Sequence, residues 1–302
     1  MANNYWTNGG GDNLWSTDAN WSVATAPVAA DTAIFTGKRS NANVTGETIT
    51  VDVPGNVYVM PDYTGTIGST GTPLKFDFNG AKTIATMNIE GSGKYYFSTD
   101  TTDNAITDLK VAIPSKASDA CEIGGLVTNL YLIKGRCTLT SEFKSAASGI
   151  IEVSYQTSPA NDSYLTASAS ADLNSNSATI VVNGGTCILS ATTLASCTLR
   201  AQGGFTQVTD GEIDYIYIQG ATVQYDAPGH KIDEMVEVFK GGRLDLTKSG
   251  EERTVDACRI HAGGVIDTRG VIDVITFTAD PVLIGMGASF LQTGTQATAQ
   301  WS

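Results

Sequence analysis

Two aspartates carry the clearest hint of chemistry in this chain. Asp245 follows Gly241 by four residues and Asp267 follows Gly263 by four, so if those glycines mark equivalent corners the acids occupy equivalent positions on adjacent turns. Neighbouring strands stand roughly 4.7–4.9 Å apart, a spacing compatible with the two facing carboxylates of glycoside hydrolysis, which sit about 5–5.5 or 6.5–9.5 Å apart according to stereochemical outcome. Asp273, Arg243 and Arg269 lie close by in sequence. A ladder of solvated acids on an outer face would give the same pattern, because charged side chains are usually exposed.

Other reactive residue types form no recognisable constellation. His230 and His261 fall in different repeats with no serine or cysteine partner in a motif, and His261 alternates with Ile260, which points it outward. Asp100, Asp103 and Asp108, or Asp12, Asn13 and Asp18, could offer oxygen to calcium, yet neither set has the spacing of an EF-hand or of the glycine-rich calcium nonapeptide. Asx turns in polar loops account for both. No phosphate-binding glycine loop precedes a helix, so no nucleotide, metal or other cofactor is expected. The five cysteines, Cys121, Cys137, Cys187, Cys197 and Cys258, lack CxxC pairing. Cys137 and Cys187 each lie two residues after a corner glycine, where an inward side chain would recur, and small buried hydrophobes are the expectation.

The elements that must position these residues repeat. Ile180 to Ile188, Leu199 to Val208, Ile216 to Val223, Val236 to Leu246 and Cys258 to Ile266 share one phrase: apolar alternation, a glycine or glycine pair at 184, 203, 220, 241 and 263, and apolar alternation again. A unit of about 20 residues with two strands and a glycine corner stacks on copies of itself. The predicted fold is all-β, a parallel β-helix (β-solenoid) with an aromatic N-terminal cap. Period-two alternation turns one face of each strand inward. Ile188 is expected on that face, so that Ile188→Asp would unfold its turn. Ile232, Met235, Val236 and Phe239 also fit helical spacing, but Val236 and Val238 fit a strand of the repeat, and the strand is the expectation.

Composition agrees: 32 glycines against 8 prolines favour an all-β chain over a helical one. The net charge of −13, with no basic run, argues against direct nucleic-acid binding. No membrane span is legible, and the segment after Met1 has neither a basic start nor an apolar core, so synthesis in the host cytoplasm without a signal peptide is expected.

Three regions follow. Residues 1–47 form a tryptophan-rich cap or arm, with Trp6, Trp15 and Trp21 suited to covering the open end of a coil. Residues 48–284 form the solenoid, with a polar excursion at 157–177 anchored by Tyr164, Leu165 and Leu173. Residues 285–302 form a tail with Phe290 and Trp301 as apolar anchors. Trp6, Trp15, Trp21, Tyr164, Phe290 and Trp301 are therefore the candidate interaction residues.

The phrase from Trp6 through Trp15 to Trp21, followed by Pro27 and Asp31 to Phe35, resembles the tryptophan-rich start found ahead of autotransporter-type β-strand repeats, and the glycine-pair phrases resemble the repeats themselves. An acidic β-solenoid without a signal is also similar, in architecture and composition, to phage virion proteins of head decoration, fibres and tailspikes. The expected function is a non-enzymatic structural virion protein, a phage capsid decoration or cement protein located in the virion. Its expected partners are copies of itself, as a homotrimer, and capsid or other virion proteins. Alternatives from other classes are a glycan-binding or glycan-cleaving β-helix using the aspartate row, and a bacterial surface adhesin.

Overall fold

The computed structural model describes the chain except residues 1, 51, 78–79, 81, 101, 103, 115–116, 118–119, 155–162, 174–177, 191–193, 228, 230, 248–252, 270–274, 278–281, 286, 292–298 and 302, with the side chains of 104, 253, 275–277 and 299–301 also outside the description. The described residues form 25 strands and one 3-10 turn, Asp18–Asn20. All pairings between these strands are parallel, as stacking of successive coils demands. The fold is a parallel β-solenoid.

Its interior consists of columns, each formed by one side chain per coil. On one face Val182, Ala201, Ile218, Val238, Ile260 and Leu283 follow each other in register. On the other, Cys137, Leu165, Cys187, Thr206, Val223, Leu244, Ile266 and Phe290 do so. The strand Lys231–Val238 settles the helix-or-strand ambiguity, with Ile232, Val236 and Val238 buried at strand spacing.

Alternation also fixes an error of phase. Cys187 and Leu189 are buried, so Ile188 between them faces outward, contrary to expectation. The column fixes this phase: Cys187, two residues after the second glycine of the corner, pairs in register with Leu165 and Thr206. The left-handed glycine is the second of the pair at 185 and 204 and the first at 241 and 263, yet Thr206, Leu244 and Ile266 all keep the register of Cys187.

The region limits also shift. The stack already begins at Ala2–Tyr5, which pairs with Asp31–Phe35, so the expected cap contains two coil strands. Inside the expected excursion, Ser163–Ala167 is a coil strand pairing on both sides. Its inward Ser163 and Ala167 flank Leu165, so small residues at buried positions made a strand look like a loop. At the far end Ser289–Leu291 and Ala299–Trp301 continue the coils.

One buried group stands out energetically. Thr206 is an inward residue between Cys187 and Val223, and its hydroxyl has no hydrogen-bond partner. An unsatisfied buried hydroxyl costs about 1–3 kcal/mol. Thr206→Val keeps the shape and removes the hydroxyl, and it should stabilise the protein by about 1 kcal/mol in urea denaturation. A destabilised variant would contradict this account of the column.

Candidate functional site: the aspartate row, the cap and an outer groove

The register brings Asp245 and Asp267 together as adjacent Cα partners, as the glycine spacing predicts. The row ends there, because the next coil places Leu291 at the same position. Asp267 is 1% exposed in its side chain. The Arg243 Nη2 donates to its carboxylate at 2.6 Å, Arg269 donates through Nε at 3.0 Å and Nη2 at 2.9 Å, and the Arg269 backbone N–H adds a bond of 3.0 Å. Arg243 also approaches Asp245 at 3.6 Å, while Asp245 accepts from the Thr247 backbone and hydroxyl at 2.9 and 2.6 Å.

These partners decide the chemistry of the pair. The hydrogen bond from Arg269, with the charges of Arg243 and Arg269, holds the Asp267 carboxyl below its ordinary value. A general acid for glycoside cleavage needs the opposite, a carboxyl kept protonated near neutral pH. The arginines thus keep Asp267 from serving as that acid, and Arg243 ties it to the neighbouring coil. Because the folded value is depressed, the stabilisation is present above the unfolded value, about 3.9, and is lost as pH falls through the folded one. Asp267→Asn should therefore cost about 2 kcal/mol at neutral pH. As the pH falls from ~4 through the depressed folded value the variant should converge on the parent, as thermal melts across pH would show.

The remaining candidates are dispersed. The Asp100 carboxylate accepts from the Thr102 backbone and hydroxyl, an Asx turn, and Asp108 accepts from Asn129. Asp12 accepts from Thr17, Leu14 and Asn20, chiefly the Thr17 hydroxyl, which lowers its carboxyl, and it knits the cap loop together. Asp103, Asp273 and His230 lie outside the described residues. His261 is partly covered, stacked on Phe239 with ring centroids 4.3 Å apart. All five cysteines are buried, and burial pushes the Cys187, Cys197 and Cys258 thiols up to about 12, far from the thiolate a nucleophile needs.

The expected interaction residues take different places. Trp6, Trp15 and Trp21 are buried, so they offer no surface to a partner. Each is drawn inward by the others and by Phe35: Trp15 and Trp21 meet edge to face at 4.6 Å, Trp6 and Trp21 at 5.4 Å, and Phe35 lies within 6.0 Å of all three. The Trp6 indole N–H donates to the Ala42 carbonyl and the Trp21 indole N–H to the Trp15 carbonyl. Tyr164 sits on the outer face with the Arg136 guanidinium 4.3 Å over its ring. Phe290 is partly buried against the core. Trp301 ends the last coil strand, and its side chain lies outside the description.

Two concave features were not legible in the sequence. A cleft of about 560 Å³ lies between the cap loop and the first coils. Its acids already serve the chain itself: Asp18 accepts from the Ala26 N–H, Glu47 from Ser16, and Asp52 from Lys82. A groove of about 340 Å³ lies on the outer face where the strand Tyr95–Thr99 and residues 122–142 run side by side under the turn at 69–73. Among the described residues no three histidine, cysteine or acidic side chains gather as a metal site.

Comparison with family models, with curated proteins and with solved structures gives no match for this chain.

Proposed function

We propose that this protein is a non-enzymatic structural component of a virion, a decoration or cement protein of a phage capsid that works as a homo-oligomer. The observation that supports this reading is the asymmetry of the two ends. At the N-terminal end the free edge of Ala2–Tyr5 is closed by the chain itself, through the antiparallel bridge Trp6 to Trp21, the Ser22 N–H donating to the Tyr5 carbonyl at 2.9 Å, and the Asn4 amide donating to Thr25. At the other end, Leu283 is the last residue of an inward column among the described residues and is 55% exposed, beside Val282 at 51% and Ile284 at 38%.

An exposed apolar strand edge is a site for pairing with another chain. A coil built on core columns and clasped from outside is a rigid body that binds through its surfaces. The acidic composition suits a particle component that should not adhere to nucleic acid. A trimer is the expected order of assembly.

The test is composition. Virions purified by density gradient from a lysate that contains this protein should carry it in fixed proportion to the major capsid protein. Particles that carry none would refute the reading.

A further inference from the structure

The column that runs through Cys137, Leu165 and Cys187 carries a second cysteine one coil earlier. Cys121 and Cys137 both lie on the long strand Cys121–Val153, which passes through successive coils. Cys121 pairs in register with Tyr95 on one side, and Cys137 with Leu165 on the other. The register between them is marked three residues further on, where a Cβ on Gly124 would stand 2.8 Å from the Thr140 Oγ1. The two side chains are therefore vertical neighbours in the core, both fully buried, and their thiols are hydrogen-bonded to each other.

No other two cysteines meet. Leu165 separates Cys137 from Cys187, and Thr206 follows Cys187. The Cys197 thiol donates to the Leu173 carbonyl at 2.8 Å, and Cys258 lies in register with Val236. Adjacent strands stand roughly 4.7–4.9 Å apart, inside the Cα separation of roughly 4.4–6.8 Å that a disulfide spans. Two inward cysteines in register on neighbouring coils meet that requirement.

We infer that Cys121 and Cys137 form a coil-to-coil disulfide when the chain folds in an oxidising medium, an assignment that holds whether or not the protein is a virion component. Each sulfur gives up its hydrogen and one S–S bond forms between them. Two electrons and two protons pass to a small-molecule disulfide of the glutathione class, whose own S–S bond opens to two thiols. The reaction belongs to folding, before the next coils cover the pair. In the closed stack the hydrogen bond to Cys137 and burial hold the Cys121 thiol well above its ordinary value, which suppresses the attacking thiolate. The same burial then shields the finished bond from reductants. A reducing compartment leaves both residues as thiols.

The test is cell-free synthesis of the full chain in a glutathione redox buffer and, in parallel, in dithiothreitol. The folded, soluble product is alkylated in denaturant and mapped by mass spectrometry after trypsin, which cuts between the two cysteines at Lys134 and Arg136. The oxidised chain should be about 2 Da lighter, the mass of two hydrogens. Cys187, Cys197 and Cys258 should be alkylated, with the Cys121 and Cys137 peptides cross-linked. Cys121→Ala and Cys137→Ala should each leave every remaining thiol free, whereas Cys187→Ala should leave the bond in place. Dithiothreitol should open the bond in denaturant about tenfold or more faster than in the folded protein. Five alkylated cysteines in the folded oxidised product, a bond joining any other pair, a bond opened equally fast in both states, or a chain that folds only in dithiothreitol would overturn the inference.

Discussion

Leu189→Asp unfolds the coil, while Ile188→Asp one residue earlier leaves it folded. Leu189 is fully buried and pairs in register with Val208 and Ala167, so an aspartate there has no charge partner and no water. A buried unpaired carboxylate costs several kcal/mol, either as desolvation or as the free energy of protonating it. That is a large share of the roughly 5–15 kcal/mol that holds a domain folded. Ile188 faces outward beside Gln207 and Thr166, where a carboxylate stays hydrated, and its loss of apolar cover should cost no more than about 1 kcal/mol. Circular dichroism melts of the two variants read this directly. The reverse ranking would place the whole strand on the wrong face.

Phe35→Ala removes the ring around which the cap is organised. Phe35 is fully buried and touches Trp6, Trp15, Trp21 and Tyr63. Truncation of a buried phenylalanine costs about 3–5 kcal/mol, more where neighbours cannot collapse into the cavity. Trp6 and Trp21 are pinned by indole hydrogen bonds, and the ring contacts with Phe35 are lost as well. The expected result is a lower melting temperature with an early change in tryptophan fluorescence, because three of the four tryptophans report on this site. A variant that melts with the parent would show that the cap does not contribute to the stability of the coil.

Much of the architecture was legible because stacked coils write their register into the sequence. The four-residue step from Gly241 to Asp245 and from Gly263 to Asp267 placed two acids side by side, and Val236 and Val238 announced a strand. What the aspartates do was not legible, since the arginines that clasp Asp267 come from two different coils. Phase was lost at glycine pairs. Two adjacent glycines do not reveal from which one to count, and the stack counts from the second, which turns Cys187, Thr206, Leu244 and Ile266 inward. The strand Ser163–Ala167 hid behind small inward residues. The outer groove was hidden for a different reason: its walls, from residues 69–73, 96–98 and 122–142, meet only through the fold.

The central claim is that the open end of the coil joins this chain to copies of itself. Light scattering coupled to size exclusion tests it most directly, on the parent and on Leu283→Asp. Leu283 is more than half exposed, so the substitution leaves the isolated coil intact and places a charge in the proposed interface. The account predicts a defined oligomer for the parent, a trimer in its expected form, and a monomer for the variant. A parent that is strictly monomeric at high concentration, or a variant that assembles as the parent does, would contradict it.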